Sequence, residues 1–365
     1  TALLFIPTFV QVVYAPLIDI GPGRRHWLIL FSIIAAGFLF ATCLMPLPDS
    51  VTAYLTCAFF AQLMSGLVGS CNGGLMAASL PDELRGKAAG WYNIGNISGG
   101  GLAATLAVAM IGEGVRDWLV GALLAALMIL PSLAALAIYE PPRVRKQLGV
   151  LLHENLVECR RVLATRAGLS GLFLCMSPVG TAALANSFSA MGTPYGVGPR
   201  GVALSTGLFS VLATALGAAV CGYLCDRFNR RVMYLASGGM TAVCGIVMAL
   251  SARAPVTYLA GVVIYAVITG FCYASFTSTV LETIGESDTA AGTKYTLYVA
   301  AGNLAIAYVG VINTRFEARH GVEGVITSDA TLNLVGVVAL ALVFWRFGAF
   351  GKWRHPAVRA ADHPP

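Results

Sequence analysis

The sequence predicts an all-α polytopic membrane protein built from two related helical bundles. Three observations carry that reading. Of 365 residues, 57% are apolar and only 11% are charged. Apolar runs of membrane-crossing length recur from one end of the chain to the other, and a polar motif of the first half returns in the second. Charged residues at about half the frequency of a soluble domain cannot clothe a solvated surface. Crossing about 30 Å of hydrocarbon takes about 20 helical residues, so the solvent is mostly lipid.

Eleven spans follow in order. The first bundle, residues 1–139, holds 1–17, 27–45, 51–75, 88–111 and 118–138. Residues 140–166 are polar, begin with Glu140 and the pair Pro141 and Pro142, and are rich in Arg, which marks an interdomain linker. Within it, Arg160 and Arg161 suit a helix lying at the membrane surface. The second bundle, residues 167–348, holds 169–191, 203–221, 232–250, 256–279, 295–313 and 330–345, and a basic tail occupies 349–365. The runs are continuously apolar and rich in Ala, Leu and Gly, whereas barrel strands alternate in polarity over about ten residues. Helices are therefore expected throughout.

The net charge of +6 sits in short loops rather than on one stripe, which argues against a nucleic-acid partner. With the loop at 21–26 on the cytoplasmic side, eighteen of the 23 Lys and Arg share that side, leaving Arg116, Arg200, Arg253, Arg315 and Arg319 outside. The positive-inside rule then puts the C-terminus in the cytoplasm. Nine cysteines, mostly within spans, read as small packing residues, and no metal or cofactor site is expected. The glycosylation triplet at Asn96 lies inside a span, out of an enzyme's reach.

The halves repeat in register. Asp19 followed by Arg24 and Arg25 returns as Asp226 followed by Arg230 and Arg231, the aspartates standing 207 residues apart. Ala88-Ala89-Gly90 with Asn96 is echoed by Ala290-Ala291-Gly292 with Asn303 at offsets of 202 and 207. Such matches indicate duplicated bundles. The same offset places the start of the first bundle about 40 residues before Thr1, so two six-helix bundles with the first helix missing are expected.

The run Gly222-Tyr223-Leu224-Cys225-Asp226-Arg227 with Arg230 and Arg231 resembles the signature loop of the major facilitator superfamily. Asn229 stands where that family usually has Gly, an exchange expected to work because Asn visits left-handed backbone. The first copy, Ala15-Pro16-Leu17-Ile18-Asp19 with Gly23-Arg24-Arg25-His26-Trp27, resembles the form found in the peptide and acetyl-coenzyme A transporter subfamily, which includes muropeptide permeases. Pro81 to Gly86 and the stretch from Ala290 to Tyr298 are compatible with the same group. The resemblance implies a bacterial inner-membrane transporter of two pseudo-symmetric bundles. Beside several Arg, Asp19 and Asp226 can make charge-assisted bonds across the cytoplasmic mouth, and Asp19, Arg24, Arg25, Asp226, Arg227, Arg230 and Arg231 are the gating candidates. The plainer alternative is that these arginines anchor loops at the membrane surface and the aspartates neutralise them.

Two spans carry polar stripes. At helical spacing Gln62, Ser65, Gly66, Gly69, Asn72 and Gly73 share one face, as do Tyr92, Asn93, Asn96, Gly99 and Gly100. The glycines fit close helix packing; the amides and the tyrosine suit either interhelical bonding or a solute pocket. Gln62, Asn72, Tyr92, Asn93 and Asn96, with Asn186, Tyr295 and Tyr298 in the second bundle, are the substrate-binding candidates. No carboxylate or His falls inside the expected spans, although proton-coupled carriers usually place one there. Glu282, the one acidic residue at a cytoplasmic helix end outside the signature loops, is the coupling candidate.

No glycine loop followed by Lys and no nucleophile–base pair is visible, so neither an ATP-driven pump nor an enzyme is expected. The reading is a symporter, antiporter or facilitator moving a small polar or amphipathic solute between the faces of a lipid bilayer, with protons as candidate coupling ion. Efflux of hydrophobic compounds, or a non-transporting scaffold or receptor on the same fold, are the alternatives.

Overall fold

The computed structural model describes residues 6–19, 23–46, 48–140, 148–285 and 290–346. The basic tail and residues 141–147 of the linker lie outside that description. Among the described residues the elements are helical, as backbone in hydrocarbon must be when its N–H and C=O groups need partners within the segment.

The helices are α1 (Ile6–Tyr14), α2 (Arg24–Cys43), α3 (Val51–Ser79), α4 (Arg85–Asn93), α5 (Gly100–Gly112), α6 (Asp117–Ser132), α7 (Leu148–Ala164) and α8 (Arg166–Met176). They continue as α9 (Phe188–Met191), α10 (Pro199–Leu204), α11 (Ser210–Cys225), α12 (Arg230–Leu250), α13 (Pro255–Ile284) and α14 (Ala291–Arg346). Wide π turns, Ile94–Gly99 and Ser205–Phe209, join α4 to α5 and α10 to α11.

Among the described residues, eight stretches are long and apolar enough to cross a membrane. Seven take one expected span each. The eighth, α14, contains the last two, bent at Gly321, where φ is 62° and ψ −146°. The expected span at 169–191 is interrupted instead of continuous. Pro178 lacks an N–H, and Gly180 and Ala182 adopt positive φ, so α8 stops at Met176 and helix resumes only at a short turn, Ala183–Ser187.

By contact density the chain forms two compact units, each drawing on both halves of the sequence. One comprises Thr1–Pro81, Ala103–Thr165 and Ile284–Asn303; the other comprises Asp82–Leu102, Arg166–Thr283 and Leu304–Pro365. The first unit packs Ile18, Leu28, Phe31, Leu67, Cys71 and Leu75 into its core. The second buries Leu184, Phe188, Met191, Tyr258, Val262, Tyr265 and Ile326 together.

Small residues set the closest approaches. A Cβ added at Gly217 would lie 1.9 Å from the Val267 carbonyl oxygen, and one at Gly270 would lie 2.0 Å from that of Thr214. Helices α11 and α13 therefore cross with their backbones in contact, which only glycine allows. Outward-facing side chains are apolar: Leu250 is 83% exposed and Val108 is 70% exposed. Such a surface is costly in water and neutral in lipid, as expected of an integral multi-pass membrane protein.

Candidate functional site

The signature aspartates occupy matching positions. In the first unit, Asp19 Oδ1 accepts hydrogen bonds from Arg24 Nε at 3.0 Å and Nη2 at 2.8 Å. Its Oδ2 accepts from the Thr293 backbone N–H at 3.0 Å and the Thr293 hydroxyl at 2.8 Å. In the second unit, Asp226 Oδ1 accepts from the Gly86 N–H at 2.7 Å and Oδ2 from the Lys87 N–H at 3.1 Å. Thr293 and Gly86 are themselves 207 residues apart, the separation of the two aspartates. Each aspartate thus caps the N-terminus of a helix from the opposite sequence half, in the same register. An anion at that position satisfies orphan N–H groups and meets the positive end of the helix dipole.

Glycine admits both contacts. A Cβ at Gly86 would lie 2.4 Å from Asp226 Oδ1, and one at Gly292 would lie 3.2 Å from Asp19 Oδ1. Burial pushes the Asp226 carboxyl above its ordinary range, against the pull of the Gly86 and Lys87 amides and of Arg230.

Around Asp226 an ion network forms. Arg230, fully buried, donates through Nη1 to Asp82 Oδ1 at 2.8 Å and lies 3.5 Å from Glu282 and 3.9 Å from Asp226. Arg85 donates to the Leu281 carbonyl at 3.3 Å and pairs with Asp82 at 3.3 Å. Arg231 approaches Glu282 at 3.8 Å, and Arg227 lies over the Tyr223 ring at 4.3 Å. Glu282, the coupling candidate, is therefore a partner of two arginines.

In the first unit the equivalent cluster differs. Glu140 accepts the backbone N–H groups of Arg24 and Arg25 at 2.9 and 3.3 Å, capping α2. Lys294 pairs with Glu158 of the linker helix α7 at 2.7 Å.

One expectation needs correction. Asn229 is not left-handed: its φ is −63° and ψ 119°, and its Oδ1 accepts from the N–H groups of Arg231 and Val232, capping α12. The side chain, and not backbone freedom, explains why Asn replaces Gly there. The first loop uses the other solution, Gly23 at φ 117° beside Glu140.

The substrate candidates divide between the units. In the first, Gln62 is exposed, Asn72 is half-buried, and Tyr295 and Tyr298 are buried, with Tyr295 resting on the backbone of Gly73. Thr296 donates to Ser70 at 2.7 Å beside it. In the second, Tyr92 is half-buried and Asn96 and Asn186 are exposed. Asn93 is buried and directs its amide at the carbonyls of Ala89 and Tyr273 and the Thr277 hydroxyl, tying α4 to α13. Asn96 sits in the π turn Ile94–Gly99, a rare geometry concentrated at functional positions.

Sequence reasoning missed the tyrosines that hold the break after α8. Tyr308 donates to the Met176 carbonyl at 2.8 Å, Tyr234 to Val179 at 2.8 Å, Tyr273 to Thr181 at 3.4 Å and Tyr258 to Phe188 at 2.8 Å. The Gly180 N–H donates to Asn333 at 2.8 Å. These side chains replace the bonds that the interrupted helix forgoes. Pro178 followed by Gly180 inside an apolar run was the available signal. A Cβ at Gly180 would lie 1.7 Å from Cys272 Sγ at a φ of 65°. Gly180→Ala is therefore expected to cost at least about 1–2 kcal/mol through left-handed strain alone, read as a lower melting temperature of the purified protein.

Also missed was a carboxylate within a span. Asp329 lies on α14 beyond the Gly321 bend and is 1% exposed, so the expectation of no acidic residue inside a span is overturned.

The sequence profile of the Major Facilitator Superfamily matches residues 1–310. A search of curated proteins found no match. Among solved structures, the proton:xylose symporter XylE, bound to 6-bromo-6-deoxy-D-glucose, is similar with a TM-score of 0.72 at 14% identity, over 95% of this chain and 84% of that one. The E. coli fucose:proton symporter FucP gives 0.68 at 11%, over 94% and 89%. The human organic anion transporter MFSD10 gives 0.66 at 14%, over 93% and 82%. At these identities the likeness is one of fold.

Proposed function

Because the chain belongs to the major facilitator superfamily, we propose that it is a secondary transporter moving a small polar or amphipathic solute by alternating access, with Asp19 and Asp226 as paired latches. The observation that carries the latches is the equal spacing of the two aspartates and of the two helix N-termini they cap. A duplicated carboxylate that merely neutralised its own loop would not need to reach the opposite half. Both contacts rest on an anion facing amide N–H groups, so each is broken by separating the elements it joins and remade when they return.

Asn96 and Asn186, exposed on the second unit, and Gln62 on the first supply amide groups for a hydroxyl-rich or amide-bearing solute. Asn72 and Tyr92 extend these sets. The symporters of similar fold carry sugars with protons, which makes a proton-linked polar solute the first class to test. The basic loops favour a cytoplasmic position for the latches.

The test is uptake into proteoliposomes from a panel of labelled sugars, peptides, amino acids and drugs, with and without a pH gradient. Flux of at least one panel member is expected. It should fall about tenfold or more in Asn96→Ala, as for loss of one or two solute hydrogen bonds, while the melting temperature stays unchanged. Flux indifferent to Asn96 and Tyr92 together would refute this placing of the solute, and no flux from well-folded protein would favour a scaffold.

A further inference from the structure

The second unit holds a carboxylate that the latch account does not use. Asp329 is 1% exposed, and every group facing it is neutral. Tyr265 of α13 donates its hydroxyl to Oδ2 at 3.1 Å. Asn313 donates its amide to Oδ1 at 3.1 Å, and Asn333, one turn on from Asp329, reaches Oδ2 at 3.4 Å. The backbone N–H of Leu184, in the short turn that follows the break after α8, also faces the carboxylate. Cys244 of α12 is the remaining titratable neighbour. Among the described residues Asp329 forms no ion pair.

We propose that Asp329 is a proton-binding site whose charge state sets the rigidity of the interrupted segment at residues 177–187. An ionised carboxylate offers about four lone-pair directions, and three neutral side-chain donors bond to it here with the Leu184 N–H facing it. That cage holds an anion without a counter-charge, an arrangement a bilayer-spanning segment tolerates only at considerable cost. One proton, taken from the aqueous phase onto Oδ2, removes that cost. Tyr265 makes the change possible, because a hydroxyl can turn from donor to acceptor and receive the new O–H. The Leu184 N–H and the two amide NH2 groups cannot reverse. Their bonds fall from charge-assisted to ordinary strength when the charge is gone.

The consequence is local. Asn333 ties Asp329 to the Gly180 N–H, and Leu184 ties it to the far side of the same break. Protonation therefore loosens both ends of a discontinuous helix at once. Glu317, one turn beyond Asn313 and half-buried, accepts from Ser187 of the same segment at 3.1 Å. As a coupling step this rests on the transporter reading; proton binding at Asp329 does not.

Hydrogen–deuterium exchange of the purified full chain, without substrate, tests it. After correction for intrinsic chemistry, exchange in 177–188 is expected to quicken roughly tenfold or more as the pH falls through one titration. Asp329→Asn, neutral at every pH, should hold the fast level throughout. Tyr265→Phe, which keeps the packing and weakens the hold on the anion, should move the transition to higher pH. It carries the test should Asp329→Asn fail to fold. A segment whose exchange is independent of pH in the natural protein, or a transition unmoved by Tyr265→Phe and retained in Asp329→Asn, would overturn the proposal. Flux plays no part in this readout, so an absence of transport would count against the transporter reading alone.

Discussion

Arg230→Ala is expected to destabilise the protein by about 3 kcal/mol, the lower end of the range for removing one partner of a buried ion pair. The guanidinium is fully buried and faces Asp82, Glu282 and Asp226. Asp82 and Glu282 keep 29% and 32% of their side-chain exposure, so water offsets part of the loss, whereas Asp226 keeps only 8%. Arg230→Lys should recover part of the stability, because the charge returns without the planar fork that reaches both the Asp82 carboxylate and its carbonyl. Melting temperature and yield in detergent read both substitutions. Equal loss in the two variants would show that geometry matters and charge does not.

Replacing Asp19 and Asp226 together by Asn should alter transport more than either change alone. Asp226 accepts backbone N–H groups through both oxygens, and Asp19 accepts one through Oδ2 and the Arg24 guanidinium through Oδ1; Asn keeps one acceptor without the charge. A hydrogen bond to a charged group contributes about 1.5–3 kcal/mol. Losing that preference at one latch shifts an equilibrium between two end states by roughly ten- to a hundredfold. Cysteine accessibility on the latch-bearing side should rise accordingly, measured with a membrane-impermeant thiol reagent on single-cysteine variants. Additive effects would mean independent latches; a double variant no worse than the single ones would mean that one latch suffices.

Much of the fold was readable because lipid imposes a simple rule, that an apolar run of sufficient length becomes a helix. Seven expected spans correspond one to one with helices of the structure. The signature aspartates were readable for a different reason: duplication repeats Asp19 as Asp226 at a fixed offset, and that offset also relates Gly86 to Thr293. What escaped depends on contacts between distant segments. The four tyrosines at the break lie 55, 70, 92 and 132 residues from the carbonyls they serve.

Asp329 was hidden by a boundary. Hydropathy treats a carboxylate as the end of a span, so the last span was drawn from Ala330, immediately after the acid. Its donors come from positions 184, 265, 313 and 333, a spread no local pattern displays. Burial with neutral partners, rather than sequence spacing, distinguishes it from Glu282, which lies 32% exposed among arginines.

The central claim is that this chain moves a solute and that paired aspartates govern the movement. The direct test compares flux in proteoliposomes carrying the natural sequence with flux in proteoliposomes carrying Asp19→Asn and Asp226→Asn together, at equal inserted protein. The account predicts clear flux of a polar panel member in the first and a loss of about tenfold or more in the second, with folding retained. Undiminished flux in the double variant would contradict it.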